Sequence, residues 1–380
     1  MTRAAALSDW LALARCPGLG PRVAQRLLTD HGGDPGAVLS ASRTVWRDAG
    51  LSAAGCDWLA RPDEQALAED RAWLDAVDDR HFIHWQDTRY PPGLADIDDP
   101  PPWLFAIGDT DLLAVPGLAI VGSRNPTPGG RENATGFARE LAASGLSIVS
   151  GLASGIDTAA HQGALAEQGM TIAVCGTGLD RVYPARNRDL ARQIGSQGLL
   201  LSEFHLGTEA RPGHFPRRNR LIAGLTLGTL VVEAARASGS LITARLASES
   251  GREVFAIPGS IHNPLARGCH QLIRDGATLV ESAGDILAEI GHRLPAGAPI
   301  GDLPTPETAT ATPADPDQKH LLDAMGDGPA RVDELVARTA LTAEAVSSML
   351  LIMELQGLVA TAPGGAFTRT RESFRFDQPE

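Results

Sequence analysis

Short, uninterrupted apolar runs recur through the middle of the chain and set its architecture. Leu118 to Val121, Leu146 to Val149, Thr171 to Val174, Leu199 to Leu201, Thr229 to Val232 and Val254 to Ile257 are such runs. Several lead into a glycine-rich turn and then a stretch with helical spacing, such as that from about Gly130 to Ser144. Continuous apolar strands belong to a sheet covered on both faces, and alternation with helices predicts that the strands are parallel. The fold class expected is α/β, an extended Rossmann-like, doubly wound sheet. Ahead of it, ARCPGLGPRVAQRLLTDHG places two apolar-periodic stretches around the turn Pro17 to Pro21. This predicts a helix-hairpin-helix, or a plain αα-hairpin in a small bundle. Behind it, residues from about His292 to Thr312 have linker composition. DQKHLLDAM, VDELVARTA and TAEAVSSMLLIMELQGL then read as three helices and VATAPGGAFTRT as a two-stranded wing, which together predict a winged helix. The expected domains are 1–80 (helical, helix-hairpin-helix or SAM-like), 81–291 (the sheet), 292–314 (linker) and 315–372 (winged helix). The proline-, acid- and aromatic-rich stretch from Phe82 to Leu113 reads as an ordered connecting segment at the first boundary.

Composition changes this picture in two places. The four cysteines, Cys16, Cys56, Cys175 and Cys269, are widely separated and form no C-x-x-C pair, so no structural zinc, disulfide framework or other metal site is expected. No basic segment leads into a long apolar run near Met1, and no later stretch is long enough to span a bilayer. A cytoplasmic protein without membrane contact is therefore expected. The net charge of -13 argues against a polyanion ligand until it is resolved along the chain. Acids exceed bases by 8 before residue 121 and by 6 after residue 290, whereas the stretch between carries one base more than it has acids. A local basic patch is compatible with that middle region, and local field rather than net charge decides binding.

Candidate chemistry lies in the same region. Loops at the carboxyl ends of parallel strands gather on one edge, where ligands bind. Four such loops are small and polar: Gly122-Ser123-Arg124, Gly151 to Asp157 including Gly155, Gly176 to Gly178, and Ser238-Gly239-Ser240, which opens the helix carrying Thr243. Hydroxyls and free amides at a helix start attract anions. Between the last two loops, Arg217, Arg218 and Arg220 surround Asn219 with no acid near in sequence, a set of planar donors suited to phosphate. Arg236 adds a charge before Ser238, and Tyr183-Pro184 with Arg186 to Arg188 extends the basic edge unless these are solvated helix positions. The only lysine, Lys319, lies in no glycine-rich loop, which excludes a Walker-A grip on ATP. GSRNPT is not G-x-G-x-x-G, and Val149-Ser150-Gly151 stands where a ribose-binding acid belongs, so no nicotinamide or other cofactor is expected. Asp157 reads as a helix-entry acid and His161 as a packed side chain. Glu233, at a strand end, is the one carboxylate placed for chemistry, with a salt bridge to the arginines as its structural alternative.

Taken in order, the helix-hairpin-helix, YPPGLADIDDPPPWLFAIGD, IVGSR, VSGLASGIDTAAH, GTGLDRVYP, HFPRRNRLIAGL, VVEAARASGSLITA and VFAIPG, followed by the winged helix, resemble the DNA-processing protein A (DprA/Smf) family. The resemblance implies a single-stranded DNA-binding protein that protects incoming DNA, dimerises, and helps load the RecA recombinase in natural transformation (competence). It implies binding roles for Ser123, Arg124, Phe215, Arg218 to Arg220 and Ser238 to Ser240. The family usually carries Lys or Arg directly before SGS, whereas this chain has Ala237 there and Arg236 one place earlier. The mechanism expected is passive: arginines and helix amides hold phosphates while Phe215 stacks on a base. The rival reading is an enzyme, a nucleotide N-glycosidase or phosphoribosyl hydrolase using Glu233. The third helix of the winged domain, with Glu344 and Glu354 and no base, is unsuited to a DNA groove.

Overall fold

The computed structural model describes residues 3–166, 168–294, 316–326, 328–355, 358–362 and 364–369. Six helices come first: α1 (Arg3–Arg15), α2 (Pro21–Asp30), α3 (Pro35–Leu39), α4 (Arg43–Asp48), α5 (Ala53–Ala60) and α6 (Glu64–Asp75). The side chains of Asp34, Ser42, Ser52 and Asp63 cap α3 to α6, each accepting from a backbone N–H of the first turn. The expected hairpin joins α1 to α2, with Gly18 at φ 77° in the turn. Trp10, Leu11, Leu28, Trp46 and Leu59 form a core that continues without a break into Phe82, Trp103, Phe105 and Ile194. Arg15 and the fully buried Asp70 close α1 onto α6 with two hydrogen bonds of 2.5 and 2.7 Å.

The stretch predicted as a connecting segment instead holds two strands, β1 (Arg80–His84) and β2 (Trp103–Gly108), with a short helix α7 (Pro92–Ala95) between them. They pair antiparallel with each other, and β2 pairs antiparallel with the strand Leu199–Ser202 at one side of the parallel block, so they widen the sheet. The prolines and acids cluster between the two strands. Averaging composition over the whole stretch hid the apolar runs at its ends.

Seven further strands follow: β3 (Gly117–Gly122), β4 (Ser147–Ser150), β5 (Thr171–Val174), β6 (Leu199–Ser202), β7 (Gly228–Val232), β8 (Glu253–Ala256) and β9 (Thr278–Leu279). The nine lie in the order β1-β2-β6-β5-β4-β3-β7-β8-β9, and β3 to β9 are mutually parallel. The chain moves outward from β3 to β6, then crosses back to place β7 on the other side of β3. That topological switch point is where a doubly wound sheet opens a crevice. Leu118 and Ile120 point into a core built with α8 (Pro128–Ala143), α9 (Ile156–Ala166) and α14 (Ala283–Ile290). Ala119 and Val121 point the other way, toward α11 (His214–Gly224), α12 (Ser240–Glu249) and α13 (Arg267–Arg274). Both faces are thus covered, which is why the strands are apolar throughout. Helix α10 (Arg188–Gln197) sends Ala191 and Ile194 into the core shared with the N-terminal helices.

The winged helix consists of α15 (Pro316–Met325), α16 (Val332–Thr339) and α17 (Ala343–Leu355) with a three-stranded sheet. Its strands β10 (Ala330–Arg331), β11 (Val359–Ala362) and β12 (Ala366–Arg369) lie in the order β10-β12-β11. Leu321, Leu335, Leu350 and Met353 make its core. Most of the expected linker, together with Arg371 and Arg375 just past the expected wing, lies outside the described residues. Among the described residues no single helix is long and apolar enough to cross a membrane.

Candidate nucleic-acid interface

The loops after β3, β4 and β7 and the start of α11 enclose an open cavity of about 620 Å³ at the carboxyl edge of the sheet. Its closeness to the switch point depends on glycine. A Cβ at Gly122 would stand 2.0 Å from the Val232 carbonyl oxygen, and one at Gly155 (φ 85°) would stand 2.3 Å from that of Ser123. The Ser123 N–H donates to the Glu233 carbonyl at 2.8 Å, locking the loops on either side of the crevice together. In the β4 loop, Asp157 Oδ2 accepts from the Gly151 and Ala153 N–H groups at 3.1 and 3.2 Å.

Phe215, in the first turn of α11, forms one wall. A Cβ at Gly176 would reach to 3.1 Å of its ring, so the third glycine loop acts as a seat for the aromatic. Tyr183 lies 5.4 Å from Phe215 between centroids and is half exposed, and the exposed Arg124 guanidinium sits 5.6 Å above the same ring. Opposite, the Ser238 and Ser240 hydroxyls are 2.7 Å apart, and the Asn219 amide donates to the Gly239 carbonyl, tying α11 to the start of α12. Two of the amides expected to be free at this helix start are engaged. Leu241 and Ile242 N–H groups donate to the Ser238 and Gly239 carbonyls at 3.2 Å. The pair of hydroxyls and the helix dipole remain for an anion.

The arginine cluster needs the larger correction. Helix α11 packs against α12, β5 and α7, and Arg218, Asn219 and Arg220 are all buried. Arg220 is held by Glu203 at 2.7 Å and by Asp99 at 3.6 Å, and the same Glu203 carboxylate takes Arg217 at 3.0 Å. Glu203 comes from just past β6, in the stretch leading into α11, and Asp99 from the segment after α7, far away in sequence. Arg218 donates one amino group to the Gly151 and Val174 carbonyls but still reaches the cavity floor beside Asp157. Burial raises the Asp157 pKa, opposed by the nearby Arg218 charge, and burial lowers that of Arg218.

Of the predicted site residues, Gly122, Arg124, Phe215, Arg218, Asn219, Ser238, Gly239, Ser240 and Thr243 line the cavity. Ser123, Gly151 and Gly155 sit behind its wall as supports, while Arg217 and Arg220 serve Glu203. Arg236 is exposed and not part of the wall. Arg211, which sequence reasoning missed, lines the mouth and is exposed. Its signal was a lone arginine in the turn directly ahead of the arginine-rich helix. Glu233 takes neither expected role. Its backbone is at φ 53°, Oε2 accepts from the Thr127 N–H at 2.8 Å, and Oε1 accepts from Thr127 Oγ1 at 2.7 Å and the Asn263 amide at 3.2 Å. It anchors the start of α8, where a carboxylate also meets the positive end of the helix. His161 is buried, bonded through Nδ1 to Thr171 Oγ1 at 2.7 Å, and burial pushes its pKa down to about 3. At the N-terminal hairpin, Arg22 faces Asp99 at 3.7 Å and Arg26 faces Asp30 at 3.8 Å, which weakens the cationic field expected there.

A Rossmann-like sheet with an open, arginine-rimmed cavity at its switch point, accompanied by a winged helix, defines the class. The family described as DNA recombination-mediator protein A matches residues 81–291, and the DprA winged helix domain matches residues 305–365. Protein Smf of Synechocystis is 41% identical over 317 residues, covering 76% of this chain and 80% of that protein. The structure of DNA processing protein A from Streptococcus pneumoniae superposes with a TM-score of 0.67 at 39% identity, covering 74% of this chain and 97% of that one. That of the Helicobacter pylori protein, described for its single-stranded DNA binding mode, gives 0.52 at 31% identity, covering 57% and 97%. The chain belongs to the DprA/Smf family of DNA-processing proteins.

Proposed function

We propose that this protein binds single-stranded DNA across the cavity at the switch point, shields it, and passes it to the RecA recombinase during natural transformation. We also propose that it does so as a cytoplasmic homodimer without catalysing a reaction. The observation that carries the reading is the cavity rim: Arg124 and Arg211 are exposed and without an acid partner among the described residues, and they flank the aromatic wall of Phe215 and Tyr183. Most exposed arginines with a described ion pair face an acid close by in sequence, as Arg192 faces Asp189 and Arg245 faces Glu249. Unpaired cations beside stackable rings suit a strand whose phosphates and bases are both accessible, and a duplex hides the base faces. The glycosidase reading needs the Glu233 carboxylate turned to the ligand, and that carboxylate is occupied by Thr127 and Asn263. The domain limits read from the sequence are kept as part of the proposal, with the cavity in 81–291.

Two arms test it. Fluorescence anisotropy with oligonucleotides of one sequence, single- and double-stranded, should give much tighter binding of the single strand. RecA ATPase on single strands coated by a single-strand binding protein should rise when this protein is added. Equal affinity for blunt duplex sinks the binding claim. Tight binding without recombinase stimulation sinks only the loading claim.

A further inference from the structure

One basic feature of the cavity edge is left unused by the site as described. The segment after Tyr183 turns through Ala185–Asn187 into α10, and it places Arg186 and Arg188 on either side of Asn187. Both arginines are exposed, and neither has an ion pair or a side-chain hydrogen bond among the described residues. Their neighbours Arg181 and Arg192 are each engaged by acids, Arg181 by Asp180 and Glu209 and Arg192 by Asp189. In a chain with 46 acids to 33 bases, two exposed arginines left without an ion pair, even though Asp189 beside them pairs with Arg192, are cations open to a ligand.

Asn187 between them is buried and does the positioning. Its side-chain amide donates to the Leu152 carbonyl at 2.8 Å, the Ala153 carbonyl at 3.3 Å and Thr158 Oγ1 at 3.0 Å. Ala153 is itself part of the cavity wall, so the arginine pair is fixed to the rim rather than carried on a free loop. Tyr183 joins the two places. It lines the cavity, packs against Phe215, and leaves half its surface open only three residues before Arg186.

We propose that Tyr183, Arg186 and Arg188 form an exit track for the DNA strand, continuous with the cavity. A base leaving the cavity stacks on Tyr183, and the phosphates that follow lie against the two guanidinium groups. The track extends the proposed single-strand binding and rests on that reading. It commits to a flexible polyanion with exposed bases, since a rigid duplex cannot turn from the cavity across an aromatic rim.

The experiment uses the full-length double variant Arg186→Ala/Arg188→Ala, with circular dichroism and thermal melting to establish that it folds like the parent. Affinity is measured for a short oligothymidylate that fills only the cavity and for one several times longer, each over a range of salt. The track predicts unchanged affinity for the short strand. It also predicts a loss of about tenfold or more for the long one, with a salt slope shallower by about 1.4 for two lost phosphate contacts. Equal losses on both strands would overturn it, because the arginines would then belong to the cavity or its fold. An unchanged slope on the long strand would overturn it as well. If the parent protein binds neither strand, the proposed function itself fails, which is a different result from either. Tyr183→Leu is the independent second variant: it should weaken long-strand binding while leaving the salt slope as in the parent, and no change in affinity contradicts the stacking step.

Discussion

The arginines of α11 and those of the surrounding loops have the same chemistry and opposite fates. Arg217 and Arg220 share a carboxylate, Glu203, that is 4% exposed, and Arg218 bonds to two backbone carbonyls. Arg124, Arg211, Arg186 and Arg188 sit on turns and helix starts at the sheet edge and form no ion pair among the described residues. The denser cluster is therefore mainly architectural, and the scattered set is the one open to a ligand. A helix wedged between a sheet and other helices must bury most of its circumference, and a buried guanidinium has to find acceptors within the protein. A loop at a strand end carries no such demand.

The largest effect that would sharpen this contrast is on stability. Arg220→Ala leaves Glu203 buried without its closest partner, so unfolding in urea should show a loss of about 3 to 5 kcal/mol. Adding Glu203→Gln should recover part of it by removing the stranded charge. A double Arg218→Ala/Arg220→Ala variant, by the same argument, is a folding variant before it is a binding variant. If Arg220→Ala melts with the parent, the division between architectural and ligand-facing arginines is broken.

A smaller effect is expected at Phe215. Phe215→Ala removes a stacking face and should cost about 1 to 3 kcal/mol of single-strand affinity, measured by anisotropy, with little change in salt dependence. A steeper or shallower salt slope would mean that the ring acts by placing Arg124, which lies 5.6 Å above it, rather than by holding a base. The smallest effect is expected from the winged helix. Helix α17 carries Glu344 and Glu354 and no basic side chain, so it offers phosphates no cation. Truncation after Arg293 should keep single-strand affinity within about threefold, since no contact of the cavity lies beyond that point. A loss of two or three phosphate contacts from the salt slope would place DNA on the wing, where Arg369 is exposed.

Most of the parallel sheet was legible because each buried strand is an unbroken apolar run and each is punctuated by glycine. β1 and β2 were not, because prolines and acids between them dominated the composition of the stretch, and β9 is too short to register. At the site, the loops were legible from chain order and Phe215 from the family resemblance. The status of Arg217, Arg218 and Arg220 was not, since Asp99, Gly151 and Val174 reach them only through the folding of distant strands and Glu203 only through the turn between β6 and α11. The role of Glu233 was hidden for the same reason: Thr127 and Asn263 lie on separate elements on either side of it in the chain.

The most direct test of the account is a salt titration of single-strand binding in the parent and in Arg124→Ala/Arg211→Ala. With four unpaired arginines neutralising about four phosphates, the parent should lose roughly tens of fold in affinity between about 50 and 200 mM salt. The double variant should fold with the parent's stability to within about 0.5 kcal/mol, bind at least about tenfold more weakly, and show a slope shallower by about 1.4. A variant that is equally folded and keeps both the parent's affinity and its slope would contradict the claim that the loop arginines, rather than those of α11, meet the strand.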